Sequence, residues 1–462
     1  MGNISSIFNI AKEGLWVNQT GIATVGSNVA NVNTPGYSRQ RAVIGARSQY
    51  DVPESMVLTG TQVINIERLY DKYLEFQMVG QSDQLGYADE RKKALDRIEA
   101  IFNESRGGGI HELLDRFWKA WEDLAANPAG QTERTALVYA SQNLAAMFRE
   151  YSGELYNLQQ ELNTGISRTV SRLNGYLADI ADLNYKVIYG TAGQNNINDI
   201  LDKRSELLKK VSDLIDINYV ETSEGAVNVF LSNGIPLVEA VRSRDLAVQA
   251  NARGVYDIIL ADDPTKNVTS AVTGGRLGGM LEMRDHTIAG YLANLDDLAG
   301  NMINEVNALH ARGYDRYGNV GGNFFEPFNA IMGVRDMRVD ATIAAEPNRI
   351  AASSTVNDDG ENALAIGSLK DALIMGGTAT AGDYYAVFLG NIGQAAADAE
   401  RSLSHETSVM TQLQNQHEQV SGVSIDEEMM NLVKFQLGYN AAAKMVSVAE
   451  EMLVELLKMV ER

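Results

Sequence analysis

The length, composition and charge of the chain limit its class before any motif is considered. It has 462 residues, 45% of them hydrophobic and 21% charged, which suits two or three folded domains and excludes a wholly disordered chain. Its 60 acidic and 39 basic residues give a formal net charge of −21, which disfavours nucleic acid and membrane surfaces as partners. The chain has no cysteine, so disulfides, thiolate nucleophiles and cysteine metal sites are excluded. We expect no bilayer-spanning helix and no cleaved secretory signal, because neither pattern is present.

The N-terminal residues predict a helix with an apolar seam. Steps of alternately four and three residues from position 4 to position 32 meet apolar side chains everywhere except at Asn18. This 3.5-residue period keeps one face of a helix turned toward a partner helix, as in a coiled coil. Pro35 and the residue before it should end the helix. The predicted seam residues are Ile4, Phe8, Ala11, Leu15, Ile22, Val25, Val29 and Val32.

The C-terminal residues repeat this pattern from position 425 to position 460. Ser424 and Glu427 have the spacing of a capping box at the start of the helix. Since seams of similar length lie at both chain ends, we predict that the two helices pair as a coiled coil. Packing of each helix on a globular core is the alternative. The predicted seam residues are Ile425, Met429, Leu432, Phe435, Tyr439, Ala442, Val446, Ala449, Leu453, Leu456 and Val460.

The residues between the ends predict a mainly α-helical protein with a small β insertion (α+β, multidomain). Helical periodicity covers residues 91–102, 109–126, 133–162, 166–187, 281–312 and 390–419. Short β-branched runs separated by turn residues predict strands at 226–231, 246–249 and 256–260. We therefore expect three nested domains. These are a terminal coiled-coil domain (1–40 with 422–462), a helical middle domain (41–216 with 276–421) and an outer β domain (217–275).

Particular stretches resemble a known family. Residues 25–40, with Asn28, Asn31, Asn33, Thr34, Pro35, Gly36 and Tyr37, are similar to the N-terminal signature of bacterial flagellar rod, hook and hook-associated proteins. Residues 424–443 resemble the C-terminus of the same group. Residues 113–128, 198–208, 274–282 and 310–325 are similar to its hook-associated protein 1, or FlgK-type, branch. Residues 326–385 match no segment of that family.

The resemblance implies a structural subunit rather than an enzyme. Such a protein forms a ring at the junction between hook and filament, is required for filament assembly, and lies outside the cell after export through the flagellar type III channel. The implied partners are the hook protein, a second junction protein, further copies of the chain, and an export chaperone on the C-terminal helix. A hook or rod protein is the alternative in the same class, and a secreted adhesin or enzyme is the alternative from another class.

Three patterns that could indicate catalytic or metal chemistry are incomplete. The His-Glu pairs at His111, His405 and His417 lack the second histidine four residues later that a zinc helix requires. Residues 315–326 place oxygen ligands as in a calcium loop, but Val320 stands where the loop needs glycine. The glycines of 274–279 lack a following Lys-Ser/Thr, and the three tryptophans suit core or interface anchors better than a ligand platform. We predict no catalytic residue, metal or cofactor.

Overall fold

The computed structural model describes residues 2–46, 60–104, 108–190, 197–356 and 359–460. These residues are mainly helical, which confirms the predicted fold class. None of the helices in these ranges is long and apolar enough to cross a membrane. The α-helices are α1 (Gly2–Ala30), α2 (Lys72–Ile101), α3 (Ile110–Ala126), α4 (Gln131–Tyr189), α5 (Ile197–Leu214), α6 (Gly275–Glu282), α7 (Ile288–His310), α8 (Ala341–Ala345), α9 (Glu361–Gly367), α10 (Ala381–Ser421) and α11 (Ile425–Val460).

The strands form small antiparallel sheets. Strands β1 and β2 make a hairpin with Gln40 opposite Arg68, and its register shifts between Val43 and Ile44. Strands β3 to β6 make a four-stranded sheet in chain order, and β7 pairs with β8. The strands are β1 (Gln40–Ala46), β2 (Thr61–Arg68), β3 (Ile217–Glu221), β4 (Val227–Leu231), β5 (Pro236–Glu239), β6 (Arg242–Ser243), β7 (Leu246–Ala250) and β8 (Tyr256–Leu260).

The chain forms two compact units. The first comprises Met1–Asp83, Leu173–Asp245 and Thr407–Arg462, and the second comprises Gln84–Arg172 and Leu246–Glu406. The four-stranded sheet belongs to the first unit, and strands β7 and β8 belong to the second. The predicted three-domain division has its boundaries at other positions and stays a prediction.

The second unit has an aromatic core built around α3. The helix buries Phe117, Trp118 and Trp121 because apolar residues recur along it every three or four positions. Trp121 packs against Phe324, with ring centroids 5.0 Å apart, and Phe324 meets Phe325 edge to face. Such aromatic pairs add about 0.5–1.5 kcal/mol each beyond the burial of their surface. Two of the three tryptophans are therefore core anchors, as predicted.

His310, at the end of α7, is a buried polar residue that hydrogen-bonds to two other segments of the same unit. Its Nδ1 lies 2.7 Å from the carbonyl oxygen of Gly322, and its Nε2 accepts a hydrogen bond from the amide of Ala351. Both contacts are satisfied by the neutral ring with its proton on Nδ1. Burial lowers the pKa of His310 to about 4.

Two predicted helices are in fact one. Residues 133–162 and 166–187 were expected as separate helices, but α4 runs without a break from Gln131 to Tyr189. Asn163, between the two predicted helices, has a tertiary role inside the helix. Its Oδ1 accepts hydrogen bonds from the amide of Tyr256 and the guanidinium of Arg284. These contacts stabilise a continuous helix although Gly165 costs it roughly 1 kcal/mol.

The other predicted elements mostly match. Residues 91–101 of the predicted 91–102 lie in α2, 109–126 correspond to α3, and 390–419 lie in α10. Residues 281–312 fall in a helical run from α6 to α7, joined by a π-helical turn at Met283–Thr287. The three predicted strands correspond to β4, β7 and β8. The β1–β2 hairpin was not predicted.

Candidate assembly interface

The first unit brings the two chain ends together, because α1 packs along α11. A Cβ added to Gly14 would lie 3.3 Å from the Cβ of Ala442, and one added to Gly21 would lie 2.6 Å from the ring of Phe435. Residues later in α1 contact residues earlier in α11, so the two helices run antiparallel. Their predicted pairing is confirmed, and the glycines are the positions that allow the close approach.

Most of the predicted α1 seam is at least half-buried. Ala11 and Val25 are buried, Ile4, Leu15, Ile22, Val29 and Val32 are half-buried, and Phe8 is 46% exposed. The buried positions of α1 also include Val17, Gly21, Thr24 and Asn28, which the seam did not contain. The covered face of α1 therefore includes the predicted positions 4, 11, 18 and 25. It also includes positions 14, 21 and 28, which the predicted seam did not contain.

The seam of α11 is similarly divided. Ala442 and Ala449 are buried, and Leu432, Phe435 and Val446 are half-buried. Ile425, Met429, Tyr439, Leu453 and Leu456 are between 39% and 51% exposed. The side chain of Val460 lies outside the described residues. The role of either seam in contacts between copies stays a prediction.

Asn28 is the polar centre of the helix pair. It is buried on the face that α1 turns toward α11, seven residues after Gly21. Its Nδ2 donates to the carbonyl oxygen of Gln40 and to the carboxylate of Glu428, at 2.9 and 3.0 Å. Its Oδ1 accepts from the hydroxyl of Tyr37 and the amide of Gln40, both at 2.9 Å. The side-chain amide thus makes all four hydrogen bonds available to it.

Glu428 links this centre to the start of α11. The residue is 1% exposed and also accepts a hydrogen bond from Arg39 Nε at 2.7 Å. Arg39 binds the exposed Glu427 through a second nitrogen at 2.6 Å. Burial alone would lower the pKa of Arg39, but the hydrogen bond to Glu427 and the charge of Glu428 raise it. Arg39 therefore remains a cation that neutralises a buried carboxylate.

The predicted capping box is only half formed. The amide of Glu427 lies 3.5 Å from Ser424 Oγ, which is a long contact. The carboxylate of Glu427 binds Arg39 instead of returning to the backbone of Ser424. Because the ion pair holds this carboxylate, the predicted hydrogen bond from Glu427 back to the start of the helix does not form, and this half of the capping box was wrong.

Helix α5 binds the segment that follows the signature turn, which is formed by residues 31–37. Asp202 accepts hydrogen bonds from the amide and hydroxyl of Ser38, at 2.9 and 2.7 Å, and from Arg68 at 3.0 Å. Asp199 accepts from the side chain of Gln40, and Asn198 donates to the carbonyl oxygen at position 66. The polar side chains at the start of residues 198–208 therefore bind both strands of the hairpin next to α1.

The remaining signature residues form the turn itself. Asn31 Nδ2 donates to the carbonyl oxygen of Ser27, and the hydroxyl of Thr34 donates to Asn31 Oδ1. Gly36 has a φ of +76°, in the left-handed region that favours glycine. Asn33, Thr34, Pro35 and Gly36 are exposed, whereas Asn28 and Tyr37 point inward. The signature thus has an internal half and an external half.

Residues of the incomplete catalytic and metal patterns make structural contacts or are exposed. The carboxylate of Asp315 accepts hydrogen bonds from the amides of Tyr317 and Asn319 within its own loop. His417 lies 2.9 Å from the buried carboxylate of Glu75, and His111 and His405 are exposed. Within the part of the chain that the structure describes, no group of three or more histidines and carboxylates could hold a metal ion.

Comparison with known families matches the middle and the two ends of the chain to different family models. Residues 95–325 match the model of the flagellar hook-associated protein FlgK helical domain, which is half of the chain. The chain belongs to the FlgK family. Residues 8–37 match the flagella basal body rod protein model, and residues 414–459 match the model of the C-terminal region of the flagellar basal body rod FlgEFG proteins. The helix pair and signature turn thus lie in segments similar to rod proteins.

Relatives and a solved structure extend this similarity. The flagellar hook-associated protein 1 of Bacillus subtilis is 28% identical, over 96% of each chain. That of Escherichia coli is 23% identical, over 96% of this chain and 98% of its own. The flagellar hook junction protein FlgK from Burkholderia pseudomallei has a TM-score of 0.68 at 18% identity, covering 75% of this chain and all of that chain. At this identity the structural match shows a shared fold.

Neither the pairing of Glu428 with Arg39 nor the binding of Ser38 and Arg68 by Asp202 was predicted. A signal was present for Glu428, because it lies seven residues before Phe435 on the face that meets α1. A carboxylate at such a position requires a buried partner. Its partner Asn28 was known only as a signature residue, and nothing in the sequence predicts which side chains α5 brings to the turn.

Proposed function

We propose that this chain is a structural subunit of the bacterial flagellum, forming the junction between hook and filament. The observation that carries the proposal is that α11 has two apolar faces and α1 covers only one. The outer face exposes large apolar side chains at intervals of three or four residues, apart from one step of eight: Met430, Val433, Leu437, Met445, Val448, Met452, Leu456 and Met459. A helix that is apolar on both faces needs a second partner besides α1.

The second partner in this proposal is another subunit, with the paired ends forming coiled-coil contacts in a ring. Position 14 meets 442 and position 21 meets 435, so α1 has no residues left to pair beyond about position 454 of α11. Leu453 and Leu456 are nearly half exposed in this region. The same face would suit an export chaperone before assembly. The hook protein and a second junction protein would be the neighbours on either side.

The proposal includes an export route and a domain plan. The chain would leave the cell unfolded through the flagellar export channel, without a cleaved signal, and would act by assembly rather than by catalysis. Residues 1–40 with 422–462 would form the contacts along the tube, residues 41–216 with 276–421 the middle domain, and residues 217–275 the outer surface.

Negative-stain microscopy of purified protein mixed with isolated hooks tests the proposal. We expect a ring at one end of each hook, lost when Leu437 is replaced by aspartate, because a charge on the apolar outer face opposes its burial. Gln436→Asp is the matched control, since it places the same charge at an adjacent exposed position of α11 outside the apolar outer face. Far-UV circular dichroism should show that both variants remain folded.

Two outcomes would contradict this. Normal rings from Leu437→Asp would remove the outer face of α11 from the interface. Polymers of the chain alone beside bare hook ends would favour the hook or rod alternative, which the rod-like terminal segments also allow.

A further inference from the structure

The exposed methionines of the described chain are concentrated in α11. The sequence has 16 methionines and no cysteine, so methionine supplies all of its sulfur. Six of the methionines that the structure describes are exposed, and five of these lie in α11. Four of the five belong to the outer face of that helix and are between 43% and 68% exposed: Met430, Met445, Met452 and Met459.

Packing shields most of the other described methionines. Exposure of a further methionine in α11 is found at Met429, at the start of the helix, and in the second unit at Met332. Met147 is half-buried. Seven others are at most 9% exposed: Met78, Met280, Met283, Met302, Met337, Met375 and Met410. Since an oxidant must reach the sulfur to react with it, the outer face of α11 is the main oxidisable surface among the described residues.

Hydrogen peroxide converts an exposed thioether into a sulfoxide. A lone pair of the sulfur attacks one peroxide oxygen, so that an S–O bond forms while the O–O bond breaks. The sulfur is oxidised by two electrons, and the departing hydroxide takes the proton of the transferred oxygen and leaves as water. Because peroxide is uncharged, exposed carboxylates of α11 such as Glu451 and Glu455 do not repel it.

The spacing of these methionines spreads the effect of oxidation along the helix. Met445, Met452 and Met459 are seven residues apart, so they form a row with a rise of about 10.5 Å between neighbours. A sulfoxide replaces a flexible apolar end with a polar group. That group loses its hydrogen bonds to water when the face is buried, which opposes burial every two turns.

We propose that oxidation of the four outer-face methionines by hydrogen peroxide is a reversible switch that prevents α11 from entering the junction. The inference rests on the proposed junction function and assigns a modification to the same face. Methionine sulfoxide reductases A and B, one for each sulfoxide epimer, reverse the step. A dithiol supplies the two electrons and becomes a disulfide, the thioether is restored, and the oxygen leaves as water.

Peptide mass spectrometry of the peroxide-treated chain measures oxidation at each methionine. We expect the four outer-face methionines to react at least tenfold faster than the buried Met78 and Met410 of the same unit. Met332 should also react, because it is exposed in the second unit. Far-UV circular dichroism should stay unchanged, which shows that the chain remains folded. Equal rates at the buried and the outer-face methionines would overturn the inference.

Assembly of the oxidised chain on hooks measures the consequence. Catalase removes the peroxide before untreated hooks are added, so that only this chain is oxidised. We expect ring occupancy to fall at least tenfold and to return after treatment with both reductases and dithiothreitol. Normal rings from the oxidised chain, or no recovery after its sulfoxides have been reduced, would contradict the switch.

Leucine substitutions assign the effect to the outer face. Leucine is close to methionine in volume but cannot form a sulfoxide. Each protein is compared with its own untreated sample, so any effect of leucine on assembly cancels. Met332→Leu is the matched control and should still lose rings after peroxide treatment. Occupancy should be the same before and after treatment in the variant with Met430→Leu, Met445→Leu, Met452→Leu and Met459→Leu.

The possible results separate this inference from the junction function. An equal loss of rings in the four-leucine variant would overturn the inference, because Met429 and Met332 are still oxidisable in it. If that variant forms no rings before treatment, recovery of the wild-type chain with the reductases decides. If the untreated wild-type chain leaves the hook ends bare, the junction function fails and the proposed switch with it, whereas the oxidation rates still decide where the chain is modified.

Discussion

Replacing Glu428 by alanine tests whether the polar centre holds the helix pair. The carboxylate accepts hydrogen bonds from Asn28 and Arg39, and its side chain is 2% exposed. Removing one member of a buried ion pair costs about 3–5 kcal/mol, because the other charge is left without compensation. Arg39 is 18% exposed and keeps Glu427, so we expect a smaller loss of about 2–3 kcal/mol for Glu428→Ala.

Glu427→Ala is the matched control. It removes a carboxylate from the same arginine at the adjacent position, but that side chain is 54% exposed. Exposed ion pairs contribute about 0–1 kcal/mol, so the helix pair should keep nearly all of its stability. The comparison separates burial from charge, because both variants remove one negative charge near Arg39.

Hydrogen exchange measured by mass spectrometry reports the local stability of the two helices. Each 1.4 kcal/mol changes an equilibrium tenfold, so Glu428→Ala should increase local opening about 30- to 150-fold in peptides from α1 and α11. Peptides from α3 in the other unit should be unchanged. Equal protection in the Glu428→Ala and Glu427→Ala proteins would refute the role assigned to the buried carboxylate.

Two further predictions concern a close contact and a buried histidine. Gly21→Ala should destabilise the helix pair by about 1–2 kcal/mol, because its Cβ would lie 2.6 Å from the ring of Phe435. Gly26→Ala meets nothing within 4 Å and should stabilise α1 by about 0.5–1 kcal/mol; urea unfolding followed by circular dichroism compares the two variants. His310 has a pKa near 4 when folded against 6.5 for the free side chain, so its neutral form is favoured in the fold and stability should fall as the pH drops from about 6.5 to about 4. The loss is about 3 kcal/mol at the acid end; His310→Gln should remove this part of the pH dependence of the urea midpoint, and the exposed His405→Gln should retain it.

The periodicity of the sequence predicted the helical ends but not the rotation of each helix. Seams at 4, 8, 11 and 15 and at 4, 7, 11 and 14 differ by one residue at alternate steps. Hydrophobicity favours the first set, because Phe8 and Leu15 are larger than Ile7 and Gly14. The structure places Gly14 of the second set against Ala442, since small residues let the backbones of α1 and α11 approach closely. Hydrophobicity alone cannot indicate which face must be narrow.

Tertiary contacts account for the other differences. The prediction left a gap between residues 162 and 166, yet Asn163 and Gly165 lie inside α4, where Asn163 binds Arg284. The signature residues were found as a motif, but the division into an inward Asn28 and an exposed Asn33 depends on α11 and α5. Glu428 of α11 lies 400 residues from Asn28, and Asp202 of α5 lies 164 residues from Ser38. No local rule specifies contacts at such separations.

The polar centre and the apolar outer face of α11 depend on each other. A shift of α11 by one residue relative to α1 would rotate its side chains by about 100°, because a helix has 3.6 residues per turn. Purely apolar contacts between Phe435 and the glycines of α1 would tolerate such a shift better than a buried carboxylate does. Glu428 has its partners in only one register, since Asn28 and Arg39 are themselves fixed by Gln40 and Ser421. The buried ion pair therefore determines which apolar side chains α11 presents to a neighbouring subunit, a role in register for which single buried polar residues in coiled coils are the best-attested precedent.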